Sequence, residues 1–406
     1  MQATQMQNAH VEQTVGQKRP LVDVDTVWKP INPSKIPKPL QPSLAPARGR
    51  LIDHLDHNRP EIQKLMRKGY CIVRGVLSPE QILAARDAVW ADSESLGTGI
   101  DRHDKSTWRK EAWPSSAHGL VQHGGWGLFP GACLVRVMTE EAWRALFKGE
   151  QPIASFDCMA ICTPTFQQNI SKKSMDEDVP QVPEWLHSDQ AQHKTELLRH
   201  MQGMVALFDA DQADMSTVLI APREGESAQS LRDRFLAQFP ADPANKKQAD
   251  AERKEWIKHD AEQKQWLVSN GIVCKPRVKA GDMLIWASGV PHASGPGKLP
   301  DGQDERNMRM SLMVSCVPRS LVTDAEMGFR RELLEKGFTS GHRVCEPREK
   351  RKGKFNQCVF PKKPRVYPGA DVPTYNTGRI LSDFGTRRVD DPVHTAMARY
   401  CGGYAV

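Results

Sequence analysis

His187-Ser188-Asp189 is a point in the chain where residue types and spacing could do chemistry. Alternate residues of a strand project to one face, so an imidazole and a carboxylate two positions apart can grip one ion from the same side. A second set lies further on. Gly281-Asp282 reads as a turn into the apolar stretch Met283-Leu284-Ile285-Trp286, and Val290-Pro291-His292 follows, 103 residues beyond Asp189. A third is Arg309, which puts a guanidinium at the head of Met310-Ser311-Leu312.

Two imidazoles and one carboxylate on one face of iron(II) leave positions open for oxygen chemistry. His187, Asp189 and His292 are therefore the expected metal ligands. 2-Oxoglutarate fills two of the open positions with its keto and carboxylate oxygens, and O2 is the remaining reactant. The distal carboxylate of 2-oxoglutarate needs a fixed cation, and the planar fork of an arginine matches a carboxylate with two hydrogen bonds. Arg309 is the expected anchor, with Ser294, two residues past His292, adding a hydroxyl. Trp185, Ser188 and Trp286 are the candidates for lining the substrate. Singly, each of these residues has an ordinary explanation in core packing or ion pairing; their order along the chain is what points to chemistry.

These residues need strands to hold them. Tyr70–Arg74, Ile153–Thr163, Trp185–Gln190, Met204–Asp209, Ile272–Val278, Met283–Ala287 and Met310–Val317 have strand character. Helices are expected over Glu61–Lys68, from Ser78 to about Ser93, and over Glu140–Lys148, Ser227–Phe239 and Ala244–Ser269. Ser78-Pro79-Glu80-Gln81 is a capping-box start, and Gly69 a stop. The last helix is charged almost all round and reads as a solvent-facing insertion. Short strands split by loops, with helices outside, imply a mainly β fold, a sandwich or barrel.

Composition sets the frame. Hydrophobic residues are 39% and charged residues 26% of the 406, as in water-soluble chains. No run approaches the roughly 18 apolar residues of a membrane span, and Met1–Gly16 lacks a secretory apolar core. An intracellular protein, cytoplasmic or nuclear, with no membrane partner is expected. Nine scattered cysteines, an odd number without metal-site spacing, read as buried free thiols. Lys29–Arg50 holds six prolines and no aromatic residue, so residues 1–50 read as a disordered Pro/Lys-rich arm. Between Arg348 and Arg365 eight Lys/Arg face one acid, so this stretch alone matches the net charge of +7.

The sequence from about Leu65 to Pro318 resembles the phytanoyl-CoA dioxygenase-like family of iron(II)/2-oxoglutarate oxygenases. Gly69-Tyr70-Cys71-Ile72-Val73-Arg74-Gly75-Val76-Leu77-Ser78 is similar to the family's opening strand and helix entry, His187-Ser188-Asp189 to its metal motif, and the Gly281 strand with His292, Ser294 and Arg309 to its end. The resemblance implies a double-stranded β-helix (jelly-roll, cupin-like) core with flanking helices. It assigns His187, Asp189 and His292 to iron, and Arg309 and Ser294 to 2-oxoglutarate. The implied reaction hydroxylates or oxidatively demethylates an unidentified substrate and releases succinate and CO2. The implied layout is an oxygenase domain over 51–318, a helical insertion at about 227–270 and a C-terminal extension over 319–406. Two features depart from the family. Ala221-Pro222-Arg223-Glu224-Gly225-Glu226-Ser227 stands where relatives carry a Pro-Gly-Ser-His-like turn. The gap from His292 to Arg309 is a wide 17 residues, with Arg306 a competing anchor. Gln168 and Thr163 are the candidates for completing the co-substrate pocket.

Two further expectations concern partners. Phe355, Phe360 and Tyr367 interleave with the basic segment 348–365, a combination that holds single-stranded nucleic acid; a solvated basic loop or a nuclear import signal fits the same residues. The alternative to an enzyme is a β-helix without turnover that serves as a binding or adaptor protein, associated with nucleic acid or chromatin.

Overall fold

The computed structural model describes residues 49–95, 99–108, 119–121, 126–164, 175–241, 256–297, 307–335, 340–344, 396–397 and 400–401. Nearly all of the expected N-terminal arm, Gln168, Arg306 and the basic segment 348–365 lie outside them.

Helix α1 (Pro60–Lys68) starts on a proline and stops at Gly69, whose left-handed φ of 79° releases the chain into β1 (Tyr70–Val73). A side chain at Gly69 would strike Val290, two residues before His292, so the glycine also permits the close approach of the His292 segment. The capping box forms as read: Ser78 Oγ accepts from the Gln81 amide, Gln81 Oε1 accepts from the Ser78 amide, and α2 (Pro79–Glu94) follows. Next come β2 (Leu120–Val121), α3 (Pro130–Met138), α4 (Glu140–Leu146), β3 (Pro152–Ala154), β4 (Met159–Cys162), β5 (His187–Ser188), β6 (Met201–Ala206) and β7 (Ser216–Ala221). The chain continues through α5 (Ala228–Gln238), β8 (Ile257–Lys258), α6 (Ala261–Asn270), β9 (Ile272–Cys274), β10 (Met283–Ala287), β11 (His292–Gly295), β12 (Arg309–Pro318) and α7 (Asp324–Glu335).

The strands make two antiparallel sheets. One runs β1-β10-β6-β12-β4-β2, with β3 also on β12; the other runs β8-β5-β11-β7-β9. Together they form the expected double-stranded β-helix. Strand β12 shows why the sheets face each other. Met310, Leu312, Val314 and Cys316 point into the main core with α1–α4, and a fully buried side chain of the Leu, Val or Met kind is worth about 1.5–3 kcal/mol. Arg309, Ser311, Met313 and Ser315 alternate onto the opposite face, toward the second sheet. A smaller apolar cluster there joins Met204, Leu284 and Trp286 of the first sheet to Leu219 of the second. Behind the second sheet, Leu231 and Phe235 of α5 and Leu267 of α6 pack on Ile220 and Ala293.

Several expectations change: Met204–Asp209 moves back to Met201–Ala206, and Ile272–Val278 shortens to Ile272–Cys274. Ile153–Thr163 is two strands, because residues 155–158 leave the ladder between β3 and β4. The strand Trp185–Gln190 shrinks to His187–Ser188. The helix expected over Ala244–Ser269 is, within the described part, the strand β8 followed by α6. It is not a solvent-facing spacer: Lys264 and Gln263 are buried, with Lys264 Nζ paired to Asp176 Oδ2 at 2.5 Å. Its helix pattern hid β8, which is only two residues long.

Candidate metal centre

Strands β5 and β11 are neighbours, and their register sets His187 directly opposite His292, with ring centroids 4.4 Å apart. Asp189, two residues past His187, returns to the same face. His187, Asp189 and His292 are each at most 5% exposed. Among the described residues they are the three whose ligand atoms converge, all within 4.8 Å of one another. Asp189 Oδ2 stands 3.6 Å from His187 Nε2 and 3.2 Å from His292 Nε2.

Both imidazoles are aimed by the same local device. His187 Nδ1 lies 3.0 Å from the Trp185 carbonyl and His292 Nδ1 2.9 Å from the Val290 carbonyl, each two residues upstream. A carbonyl can only accept, so each Nδ1 carries a proton toward it and each Nε2 is the nitrogen turned to the shared point. Metal-binding histidines are oriented in this way. Burial, then the neighbouring His187, pushes the His292 pKa down, which favours the neutral ring a metal needs. Burial works to raise the pKa of Asp189, but His342, His187 and His292 outweigh it and hold the carboxyl well below the usual range. Two imidazoles and an ionised carboxylate, with Nε2 and Oδ2 turned inward, fit a first-row metal ion.

Gln202 of β6 reaches across from the first sheet and donates Nε2 to Asp189 Oδ2 at 2.8 Å. Trp185 stacks on His187 at 4.6 Å and donates its indole N–H to the Ser294 carbonyl at 3.1 Å. Trp286 is 3% exposed and lies 5.3 Å from the His292 ring; its indole N–H has no partner among the described residues. Both tryptophans thus pack against the ligand rings. Ser188 corrects an expectation. Lying between His187 and Asp189, it points to the other face, where its Oγ meets His259 Nε2 at 3.0 Å, and so it does not line the metal side.

The guanidinium of Arg309 crosses between the sheets. Its Nη1 donates to Ser294 Oγ at 2.9 Å, and Ser294 sits two residues along β11 from His292. Arg309 is 4% exposed, its Nε has no partner among the described residues, and no carboxylate among them pairs with it. Burial lowers its pKa. Thr163 is buried one residue past Cys162, the β4 residue opposite Arg309 in the ladder.

Several contributors have no signal in the sequence. The strand β8 pairs with β5, Lys258 opposite His187 and Ile257 opposite Ser188. Trp256, 39% exposed, therefore falls on the metal side, 5.6 Å from the His187 ring. His342 Nε2 stands 3.7 Å from Asp189 Oδ1, and Arg343 Nη2 donates to the Asp189 carbonyl at 3.4 Å. Both come from the C-terminal extension, where neither spacing nor periodicity marks them. Gln202 lies in an apolar strand facing the three converging side chains and was findable as a polar residue at an inward position.

No family model matches the sequence, and no curated protein matches it. Solved structures with a similar fold include AviO1 from Streptomyces viridochromogenes Tue57, at 14% identity over 65% of this chain and 96% of that one, with a TM-score of 0.38. A second is SnoK, a non-heme α-ketoglutarate-dependent carbocyclase from nogalamycin biosynthesis, at 14% identity over 67% and 87% with a TM-score of 0.37. A third is EctD from S. alaskensis with 2-oxoglutarate and 5-hydroxyectoine, at 10% identity over 64% and 76% with a TM-score of 0.34. At this level of similarity no residue-by-residue correspondence follows.

Proposed function

We propose that the protein is an iron(II)- and 2-oxoglutarate-dependent oxygenase, of the kind the phytanoyl-CoA dioxygenase-like family comprises. One observation carries the reading. A buried arginine without an acidic partner among the described residues, Arg309, is hydrogen-bonded to a serine two residues from one of three converging metal-type ligands. Burying a charge without a counter-charge is costly, so such a guanidinium suits an anionic ligand beside the metal.

In this reading His187, Asp189 and His292 hold iron(II). With 2-oxoglutarate and O2 the iron supplies oxidation of a C–H bond, the oxo acid being decarboxylated to succinate. Arg309 and Ser294 orient the oxo acid by its distal carboxylate. The carbonyls of Trp185 and Val290 keep the Nδ1 protons of the ligands in place, and Gln202 steadies Asp189. Trp185 and Trp286 exclude water from the ligand rings. The primary substrate is a C–H-bearing molecule admitted on the Trp256 side; whether the product is hydroxylated or demethylated depends on that molecule. Among the described residues no helix is long and apolar enough to cross a membrane.

The test is succinate formation by purified protein given iron(II), 2-oxoglutarate and air, assayed with and without each component. Succinate that depends on all three supports the reading. Its absence, with metal and 2-oxoglutarate both bound, favours a binding protein on the same fold.

A further inference from the structure

We propose that His342, carried in by the C-terminal extension, is a positioning residue for Asp189: it holds Oδ1 and so leaves Oδ2 to face the two imidazoles. The proposal rests on the metal-centre reading above.

The two oxygens of Asp189 have separate surroundings. Oδ2 faces His187 Nε2, His292 Nε2 and the Gln202 amide. Oδ1 faces His342 Nε2 at 3.7 Å, and that nitrogen is buried with no hydrogen-bond partner among the described residues. A contact at this distance becomes a hydrogen bond with a movement of less than about 1 Å. His342 is not itself a fourth ligand in this arrangement, because only the other three converge within 4.8 Å among the described residues.

The segment that carries His342 is pinned on both sides. Ser340 clasps Phe156: its Oγ accepts from the Phe156 amide at 2.9 Å, and its own amide donates to the Phe156 carbonyl at 3.3 Å. Arg343 bonds the backbone of Asp189 itself, 154 residues away in sequence. Val344 is buried with Ile153, Val317, Val322 and Met327. A stretch of five residues, 340–344, thus meets the β3–β4 connection, the metal-binding loop and a small apolar core. A surface tail would not need all three. The side chain of His342 is one-third exposed, so it approaches the carboxylate from the solvent side of the centre.

The experiment is a Co(II) titration, followed by calorimetry and visible absorption, of wild type, His342→Ala, His342→Gln and His187→Ala, with the metal-free melting temperature of each. Loss of an outer partner of a metal ligand costs about 10–100-fold in metal affinity. His342→Ala is expected to fall in that range with altered cobalt bands and an unchanged metal-free melting temperature. His342→Gln, which keeps an N–H donor, is expected to recover most of the affinity. Wild-type affinity and spectrum in His342→Ala would overturn the proposal and leave the metal centre intact. Equal losses in both His342 variants with a lowered metal-free melting temperature would overturn it in favour of a packing role. Cobalt binding that is indifferent to His187→Ala would overturn it together with the reading it rests on.

Discussion

Replacing Arg309 by methionine separates a ligand anchor from a structural cation. The guanidinium is buried, bonds Ser294 Oγ at 2.9 Å and lies 3.9 Å from the Met204 sulfur, with no acid beside it among the described residues. Methionine keeps most of the length and removes the charge. Exchanging buried ionic groups for packed apolar ones is often neutral or stabilising by about 1–4 kcal/mol, so ligand-free Arg309→Met should melt no lower than wild type. Its 2-oxoglutarate affinity should collapse. A hydrogen bond to a charged group is worth about 1.5–3 kcal/mol, and 1.4 kcal/mol is about a factor of ten. Arg309→Lys, which keeps the charge but loses the two-pronged geometry, should then weaken binding about ten- to hundredfold, and Arg309→Met more. The assay is a melting curve with and without 2-oxoglutarate on the metal-loaded protein. For wild type at 100 times Kd the ligand should add about 2.7 kcal/mol, and for Arg309→Met nothing measurable. A loss of about 3–5 kcal/mol in the ligand-free variant would mean that a buried ion pair had been broken. With 2-oxoglutarate stabilisation unchanged, that result would refute the reasoning.

His187→Ala, Asp189→Ala and His292→Ala should each abolish tight binding of iron(II) by calorimetry, since any one removes a third of the donor set; full binding in any of them would remove that residue from the site. His259, whose pKa burial pushes down to about 3, is neutral when folded and titrates near 6.5 when unfolded. Its contribution to stability is therefore whole above pH 6.5 and is lost as pH falls toward 3; between pH 7 and 5 that is about 2 kcal/mol. A His259→Gln protein should show a correspondingly flatter denaturant midpoint against pH, and parallel curves would count against the buried neutral ring. Burial raises the thiols of Cys71 and Cys162 to about 12, while Cys274 is only half-buried. Native alkylation at pH 8 should mark Cys274 and spare the other two, as read by peptide mass mapping. Ser78→Ala should lower stability by about 1 kcal/mol through loss of the N-cap of α2.

The face shared by His187 and Asp189 was legible because its signal is short-range. An i, i+2 pair on a strand needs no knowledge of the rest of the fold, and the inward face of β12 is written as alternation in Arg309-Met310-Ser311-Leu312-Met313-Val314-Ser315-Cys316. The pairing of His187 with His292 was not legible, because nothing local fixes which strands become neighbours across 105 residues. Ser188 was misassigned by adjacency in sequence, although strand alternation sends it to the opposite face from its neighbours. The insertion and the C-terminal extension read as peripheral from their charge. Yet β8 completes the edge beside His187, and Ser340, His342 and Arg343 are fixed by contacts to Phe156 and Asp189 that only the closed fold creates.

One site is expected to hold both the metal and the oxo acid. Anaerobic calorimetric titration of 2-oxoglutarate into the iron(II)-loaded protein tests it without knowledge of the primary substrate. The expected result is one 2-oxoglutarate per chain, bound far more weakly once the iron is removed and lost in Arg309→Met. Equal affinity with and without iron, or no binding by the fully iron-loaded wild type, would contradict it.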